Sequence, residues 1–367
     1  MLIKLESIPI IYMLVKDPFT REVRYTDTMA QRKKKKAGKL IFVFFVEILI
    51  LVLLFIGFKI YSKVDKIQYN AKDNSKIKVS KNIDAEGYRN IAIFGVDSRN
   101  NTIEESTHSD TIIIASINNK TKDVKLVSVY RDTYIDVGEG DYTKITAAYF
   151  QGGYSQALTA LNTNFDLDIQ EYVTVNFNAV IQTIDMLGGI EIDIQQEELE
   201  WLNVYIRELN RIFDTDVDQI YTTGPQTLNG TQATAYARIR HATGGDFKRT
   251  ERQRLVIQKI FDKVKTSDLP TIDNLIDKIF PQIYTNINST ELIVLAKDVF
   301  SYNIVEQTGF PFEKDAHTYD RVSYVFPIDL QANVVTLHEF LFPDVLVYTP
   351  SSTVQERSAY IEDIRSR

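Results

Sequence analysis

Short apolar runs separated by polar turns recur from residue 90 onward, and their lengths are typical of buried strands. Asn90 to Val96 is one such run and predicts the first strand of a compact domain. Ile112 to Ile117 and Val124 to Val129 follow, joined by a polar turn over Asn118 to Asp123. Two strands linked by so short a turn predict a hairpin.

Helical segments alternate with further strands in the following stretch. A helix is predicted around Tyr154 to Leu161, and a strand covers Tyr172 to Phe177. A second helix over Ala179 to Leu187 ends at a glycine pair, and Ile190 to Ile194 is again a strand. Strands that alternate with helices predict an α/β/α sandwich with a central mixed sheet.

The second half of the chain is patterned less strongly. Residues 195–225 predict an insertion with a short helix near Trp201 to Ile212, and Leu228 to Thr231 opens an alanine-rich helix that leads to Arg238. Thr250 to Gln253 has the form of a capping box, which predicts a helix N-cap at Thr250. The remaining predicted elements are a helix over Thr290 to Phe300, a strand over Tyr324 to Phe326, a helix over Val334 to Phe342 and a weakly patterned tail over residues 346–367.

A long apolar run lies upstream of this domain. Residues 40–61 hold about 20 mostly apolar positions, enough to span a bilayer as one helix. The basic run Arg32 to Lys36 precedes it, so residues 1–39 are predicted to stay in the cytoplasm. Residues 62–87 then form a polar linker, and residues 88–345 form an extracellular domain. The chain is predicted to be a single-pass cell-membrane protein, with Met29 as an alternative start to Met1.

Composition excludes several classes of function. The 367 residues include no cysteine, which excludes disulfides, thiolate metal sites and a cysteine nucleophile. Four histidines disfavour a zinc site. A net charge of −7 argues against broad nucleic-acid binding, and we predict no nucleic-acid partner.

Positive charge is instead concentrated between Tyr236 and Leu255. The cations of this stretch are Arg238, Arg240, Lys248, Arg249, Arg252 and Arg254. Guanidinium groups match phosphate oxygens two at a time, and a helix N-terminus adds free N–H groups. Gly244 and Gly245 give the backbone a corner between the two basic groups. The alternative is a solvated basic surface loop. The preference for arginine over lysine favours a phosphate-binding stretch.

Carboxylates at the ends of neighbouring strands complete the candidate chemistry. Asp97 and Asp110 lie at the ends of adjacent predicted strands, with Arg99 and Arg131 close by and Asp132 placed to orient Arg131. Each aspartate alone is more typical of a turn or cap than of a metal site. Together, at one edge of an α/β sheet, these aspartates and arginines predict a Mg²⁺ site beside phosphate-binding arginines. Enzymes that transfer phosphoryl groups use this combination.

Seven segments in this order resemble the LytR-CpsA-Psr proteins of Gram-positive cell envelopes. The segments are NIAIFGVDSR (Asn90 to Arg99), HSDT (His108 to Thr111), SVYRDTYI (Ser128 to Ile135), KITAAYFQGG (Lys144 to Gly153), IDMLGGIEI (Ile184 to Ile192), LNGTQATAYARIR (Leu228 to Arg240) and GDFKRTERQ (Gly245 to Gln253). They cover most of residues 88–265, and the combination is specific although each piece alone is weak. The anchor and external domain also match.

The resemblance implies transfer of a glycopolymer from a polyprenyl-pyrophosphate carrier to peptidoglycan, with polyprenyl phosphate as leaving group. It also implies an apolar pocket for the lipid. By motif position Asp97 and Asp110 hold Mg²⁺, and Asp97 assists deprotonation of the acceptor hydroxyl. The residues implied to hold the pyrophosphate are Arg99, Arg131, Arg238 and Arg240, with Lys144, Asp246, Arg249 and Arg252 as further substrate-binding residues.

Two positions depart from the family pattern. His108 stands where the family often has arginine, so one phosphate contact is expected to be weaker or pH-sensitive. Tyr130 stands where proline is usual, so the turn before Arg131 is expected to be less rigid.

Three alternatives stay open from sequence. A pyrophosphatase acting on lipid carriers needs the same residues, with water as acceptor. A membrane-anchored transcriptional regulator has only the basic run at Arg32 in its favour. A non-catalytic lipid-binding or scaffold protein would tolerate loss of Asp97 and Asp110. The polymer itself, whether wall teichoic acid, capsule or another glycan, is also open.

Overall fold

The computed structural model describes residues 68–69, 74–83, 85–96, 107–345 and 347–367. The predicted transmembrane segment over residues 40–61 lies outside these residues, as do Asp97 and Arg99. Within the described ranges, no helix is both long enough and apolar enough to cross a membrane. Residues 61–367 cluster as one unit, so the described elements share one fold.

The described chain contains runs of consecutive strands as well as strands that alternate with helices. The strands are β1 (Gln68–Tyr69), β2 (Tyr88–Val96), β3 (Ser109–Asn118), β4 (Asp123–Val129), β5 (Tyr134–Asp136), β6 (Tyr142–Lys144), β7 (Glu171–Asn176), β8 (Ile190–Ile194), β9 (Gly224–Leu228), β10 (Tyr284–Thr285), β11 (Asn303–Phe310), β12 (Lys314–Tyr319) and β13 (Val322–Pro327). The helices are α1 (Thr146–Phe165), α2 (Phe177–Met186), α3 (Gln196–Phe213), α4 (Gly230–Arg238), α5 (Gly245–Thr266), α6 (Leu269–Ile279), α7 (Ser289–Asp298), α8 (Leu330–Leu341) and α9 (Ser352–Arg365).

The central sheet is mixed and has the strand order β1-β10-β7-β2-β3-β4-β11. β3 runs antiparallel to both β2 and β4, which confirms the predicted hairpin. β7 is parallel to β2, and β11 is parallel to β4. The structure therefore confirms the predicted α/β fold with a central mixed sheet.

Alternation along the central strands supplies both faces of this sheet with apolar side chains. Phe94 and Ile114 pack on one face against residues of α1, α8 and α9. Ile91 and Ile113 pack on the other face against residues of α5 and α7. Helices thus cover both faces, with the sheet as the middle layer.

A second apolar core lies among α2, α3, α4 and the β8–β9 pair. The motif Leu228 to Thr231 fixes α4 in it. The Asn229 side chain accepts a hydrogen bond from the Gln232 backbone, and the Gln232 side chain accepts one from the Asn229 backbone. A Cβ on Gly230 would lie 2.1 Å from the carbonyl oxygen of Ile181, so only glycine allows α2 and α4 to approach this closely. The helix that ends at Arg238 is therefore held at both its cap and its packing face.

Several predicted boundaries differ from the structure, and the helix predicted around Tyr154 to Leu161 spans Thr146–Phe165. The helix in the insertion is longer than expected and spans Gln196–Phe213. α5 begins at Gly245, so the capping box predicted at Thr250 is wrong. Thr250 lies inside the helix and its hydroxyl donates to the carbonyl of Phe247 at 2.8 Å. The expected tail contains α9, whose Val354, Ile361 and Ile364 are buried in the main core.

The buried carboxylate of Asp166 joins the two ends of the described chain. It accepts hydrogen bonds from the hydroxyl of Tyr348, from the backbone and hydroxyl of Ser351 and from the hydroxyl of Ser80. Burial alone would raise the pKa of Asp166, but these hydrogen bonds outweigh it and lower the pKa. The segment before β2 and the segment before α9 are thus both attached to the end of α1.

Asp166→Asn tests this attachment without a change of shape, because asparagine tolerates the left-handed conformation of Asp166 (φ +50°). The free energy of unfolding at pH 7 is expected to fall by about 1–3 kcal/mol. Because the folded-state pKa is lowered, this contribution is full above the unfolded pKa and is lost as pH falls through the folded pKa. Urea unfolding of both proteins from pH 7 to pH 2.5 should give curves that converge at acid pH. A constant difference at all pH values would contradict this account.

Candidate active site

The ends of β2, β3, β4 and β7 lie side by side, and this row of strand ends forms one edge of the sheet. Val96 ends β2 opposite Ser109, and Gly95 pairs with Thr111, so Asp110 is an extra residue without a partner in the ladder. Such a bulge turns a side chain out of the regular alternation. The Asp110 side chain is 38% exposed. The carboxyl ends of β4 and β7 lie at the same edge, where ligands settle in α/β sheets.

Arg131 follows β4 and reaches Asp110 directly. Its Nη1 lies 2.6 Å from Asp110 Oδ1. The turn that carries it is held by Thr133, whose backbone N–H and hydroxyl both donate to the carbonyl of Tyr130. The Tyr130 ring is buried edge-on against Phe247 at 4.7 Å and packs over Gly309, where a Cβ would collide with it. Hydrogen bonds and a buried ring thus position this turn, where the family pattern uses proline.

Asp246, in the first turn of α5, lies among three guanidinium groups. Its Oδ1 is 3.0 Å from Nη2 of Arg249, 3.4 Å from Nε of Arg240 and 3.8 Å from Nε of Arg131. Nη2 of Arg249 also donates to the backbone carbonyl of Asp110 at 3.4 Å. The glycine corner is present as predicted, with φ of +86° at Gly244 and +56° at Gly245. α5 therefore brings Asp246 and Arg249 to the edge that holds Asp110 and Arg131.

The carboxylates of this cluster stabilise the charge of Arg131 more effectively than the charge of Arg249. Burial lowers the pKa of the Arg249 guanidinium, and nearby Arg131 and Arg240 lower it further against the effect of Asp246. Burial also disfavours charge on Arg131, but Asp110, Asp132 and Asp246 outweigh it and raise the pKa. Nε of Arg131 and Nε of Arg249 have no hydrogen-bond partner among the described residues. Arginine stays protonated in either case, so the cluster is suited to an anion that supplies further acceptors.

Lys144 extends the cluster on one side. Its Nζ lies 2.9 Å from Oδ1 of Asp132 and 5.8 Å from the ring centre of Tyr324. The other carboxylate oxygen of Asp132 lies 3.7 Å from Nε of Arg131. Asp132 therefore stands between Lys144 and Arg131, as an orienting residue would.

Arg238 ends α4 on the other side of the edge. Its Nη2 lies 2.9 Å from Glu208, and its guanidinium lies over the rings of Phe177 and Tyr205 at 5.2 and 5.4 Å. Nη1 has no hydrogen-bond partner in the described part of the chain. The partner Glu208 and the two rings were not predicted, because 30 residues separate Glu208 from Arg238 and no local pattern links them.

Arg238 also lines an apolar cavity of about 380 Å³ beside the cluster. The wall is built mainly from β2, β7, α2, α4 and α5, with residues such as Ile93, Val180 and Ile257. Thr111, next to Asp110, lies in the same wall. Four buried polar atoms of the wall find no partner among the described residues, namely Asn176 Nδ2, Thr234 Oγ1, Arg238 Nη1 and Gln253 Oε1. The cavity is thus apolar over most of its surface and polar in a few places.

The structure does not bring Arg252 to the cluster. Arg252 is only 6% exposed, its Nε lies 2.7 Å from Oε1 of Glu198, and its Nη1 donates to the carbonyl of Ile239. Glu198 also accepts the backbone N–H of Gln195 and so caps α3. This pair fastens α3 to α5 behind the site. Of the predicted residues, the structure gathers Asp110, Arg131, Lys144, Arg240, Asp246 and Arg249, with Arg238 at the cavity.

Metal ligands are few in this region. The described residues contain no group of three or more His, Cys, Asp or Glu side chains arranged to hold a metal ion. Asp110 is the described carboxylate that was predicted as a Mg²⁺ ligand, and it is both partly exposed and next to the basic cluster. Mg²⁺ commonly takes one or two carboxylates and completes its shell with substrate phosphates and water. Asp110 fits that donor set.

A comparison with known proteins identifies the protein family of this chain. The model of the LytR_cpsA_psr family matches residues 54–338. The chain belongs to the LytR-CpsA-Psr family. This confirms the resemblance found in the sequence motifs.

Relatives in the LytR-CpsA-Psr family are named as transferases. Polyisoprenyl-teichoic acid–peptidoglycan teichoic acid transferase TagU of Enterococcus faecalis is 29% identical over 299 residues, which cover 78% of this chain and 93% of that protein. The structure of TagT bound to LIIa-WTA has a TM-score of 0.58 at 21% identity, over 74% of this chain and 97% of TagT. A structure of YwtF (TagT) with bound octaprenyl pyrophosphate lipid has a TM-score of 0.52 at 20% identity, over 71% of this chain and 93% of that one. These two structures share the fold.

Proposed function

We propose that this protein transfers a glycopolymer from a polyprenyl-diphosphate carrier to a hydroxyl group of peptidoglycan. The observation that carries the proposal is the apolar cavity lined by Thr111 and Arg238, because Thr111 directly follows Asp110 of the basic cluster in the chain. A ligand that fills both has a diphosphate head and a hydrocarbon tail. The names of the relatives, which are transferases acting on polyisoprenyl-linked teichoic acid, agree with this substrate class.

The described residues have separable roles in this transfer. Arg131, Arg240 and Arg249 offset the charge of the diphosphate, and the carboxylate of Asp246 offsets the repulsion among the three guanidinium groups and so holds them together. Lys144 acts on the same head group through Asp132 and Arg131. The acceptor oxygen bonds to the phosphorus that bears the polymer as the bond to the second phosphate breaks, and polyprenyl phosphate leaves. Asp97, which follows Val96 in the chain and lies outside the described residues, is proposed to take the hydroxyl proton.

Mg²⁺ is the cofactor we propose for this site, held by Asp110 and Asp97. When bound, it would help to neutralise the charge that develops on the phosphate oxygens. The partly exposed carboxylate of Asp110 beside the arginines supports this assignment. Chelation of divalent cations with EDTA is expected to stop transfer, and unchanged transfer would remove Mg²⁺ from the proposal.

The segment over residues 40–61 is proposed to anchor the domain at the outer face of the cell membrane, close to both carrier and peptidoglycan.

Hydrolysis of the carrier can be distinguished from transfer by incubating the protein and the carrier with and without peptidoglycan. Release of polymer that needs no acceptor would indicate a pyrophosphatase. Neither this alternative nor a regulatory role is favoured by the named relatives.

Ala237→Phe tests the assignment of the cavity to the lipid. Ala237 is a small side chain of α4 in the cavity wall, and the larger ring would occupy the space of the hydrocarbon. We expect the wild-type protein purified from a bacterial host to carry polyprenyl phosphate or diphosphate. The variant should carry at least about tenfold less, since one filled cavity is worth several kcal/mol of apolar contact. Mass spectrometry of extracted lipid measures both.

The thermal midpoint of Ala237→Phe is expected to stay near that of the wild type, because the ring fills empty apolar space. Tyr221→Phe, an exposed substitution away from the cavity lining, is the control and should leave the lipid content unchanged. A folded Ala237→Phe protein with a full complement of lipid would refute the cavity assignment.

A further inference from the structure

An exposed aromatic pair lies next to the basic cluster. The rings of His108 and Phe150 are stacked, with centroids 4.6 Å apart and planes 9° apart. The Phe150 side chain is 44% exposed, which is unusual for so large an apolar group. His108 is two residues before Asp110, and it is one of the two departures from the family pattern. His108, at a position where the family often has arginine, is thus one of the two rings of an aromatic pair.

The first turn of α1 fixes Phe150 with respect to the cluster. The hydroxyl of Thr146 donates to the carbonyl of Ser109 at 2.8 Å, and its backbone N–H donates to the carbonyl of Arg131 at 3.2 Å. The helix is interrupted directly after this turn, and Gly153 adopts φ +61° and ψ −154°, a conformation that is open essentially to glycine. Phe150 is therefore placed by contacts to the two strand ends that hold Asp110 and Arg131.

The pair and the apolar cavity belong to opposite faces of the sheet. Ile93, Gly95 and Thr111 line the cavity and alternate with the residues that face α1. α1, which carries Phe150, packs on the other face. A carrier whose hydrocarbon lies in the cavity and whose diphosphate lies on the arginines thus directs its next group toward the face of α1.

We propose that His108 and Phe150 form a subsite for a pyranose ring, in addition to the diphosphate and lipid sites, on which this inference rests. The apolar C–H face of a pyranose packs on the negative face of an aromatic ring, while its hydroxyl groups stay in water. An exposed ring pair beside a diphosphate site meets both requirements. The pyranose belongs either to the first sugar of the carrier or to the acceptor glycan, since both must approach the same phosphorus.

Phe150→Ala in the full-length protein tests the subsite. The probes are a polyprenyl diphosphate without saccharide, the same lipid with a disaccharide, and soluble peptidoglycan fragments. We expect the KM of one saccharide-bearing substrate to rise about fivefold to tenfold, the loss that one aromatic contact of this kind explains. The Kd of the bare lipid diphosphate should stay unchanged, and Phe150→Trp should restore the wild-type KM.

The substrate whose KM rises identifies the source of the sugar, and either result supports the subsite. Phe300→Ala is the matched control, because Phe300 is 49% exposed and precedes β11 at the far end of the sheet, where Asn303 pairs with Asp123. Unchanged KM values for both saccharides, or an equal loss of affinity for the bare lipid, would overturn the inference. If the subsite fails in this way, transfer by the wild-type protein still supports the proposed function. If the wild-type protein does not transfer polymer, that result counts against the proposed function. The effect of Phe150→Ala is then measured as the Kd of each saccharide.

Discussion

Arg131→Ala should lower the rate of polymer transfer by about a thousandfold, the effect of removing one well-placed charged donor from a reacting phosphate. Arg131 is the cation that contacts Asp110 directly, at 2.6 Å, and it also lies within 4 Å of Asp132 and Asp246. Its loss would remove the proposed diphosphate contact and release the carboxylate of Asp110 from its ion pair. The initial rate of attachment of labelled carrier polymer to peptidoglycan measures the effect.

Arg211→Ala is the control for this measurement, since Arg211 is an exposed arginine in the last turn of α3. It removes the same charge from the protein and should transfer at the wild-type rate. Arg131→Lys keeps the charge but not the planar two-donor group, and it should recover only part of the rate. A folded Arg131→Ala protein that transfers within threefold of wild type would contradict the assignment of the cluster to the diphosphate.

Arg252→Ala is expected to lower the free energy of unfolding by about 3–5 kcal/mol, which is a large fraction of the total stability of a typical protein. The reason is the buried carboxylate of Glu198, which would lose its charged partner at 2.7 Å while only 6% of its side chain is exposed to water. Chemical unfolding followed by circular dichroism measures this loss. The effect on transfer would then follow from unfolding and not from lost contact with substrate.

A double variant separates these two explanations. Arg252→Met combined with Glu198→Gln removes both buried charges, and glutamine still accepts the backbone N–H of Gln195 that caps α3. We expect most of the stability to return, because replacing both members of a buried pair is far less costly than removing one. The double variant should also transfer at close to the wild-type rate. A stable double variant without activity would show that Arg252 belongs to the substrate site after all.

Sequence reasoning placed β2, β3, β4 and β7 correctly because a short apolar run between polar turns is a local signal, but it did not predict β1, β10 or β11 of the same sheet. The pairing of β2 with β3 brings Asp110 to the edge where Arg131 also lies. The bulge at Asp110 could not be read from the sequence. It depends on which residues pair across two strands, and no single strand carries that information.

The start of α5 shows how a local rule fails. Thr250 to Gln253 satisfies the capping-box pattern, but Gly244 in the left-handed region lets the helix begin six residues earlier. Tertiary contacts decide between two acceptable starts, and Asp246 gains its arginine partners only in the longer helix. The pairing of Arg252 with Glu198 is equally non-local, because 54 residues separate the two side chains.

The cavity could not be predicted from sequence for a related reason. Val256, Ile257 and Ile260 recur at helical spacing like any core residues, and only the packing of α5 against α2 and α4 leaves space beside them. Of the aromatic pair, only His108 could be noticed in the sequence, because it departs from the family pattern. Its partner Phe150 is 42 positions away and became visible only when α1 was placed on the sheet.

The placement of the cavity and of α1 on opposite faces of the sheet bears on how the enzyme empties itself after each turnover. In the proposed transfer, cutting the bond between the two phosphates would leave the lipid product on one side of the sheet and the joined polymer on the other. Each product could then leave by a separate route without passing the other.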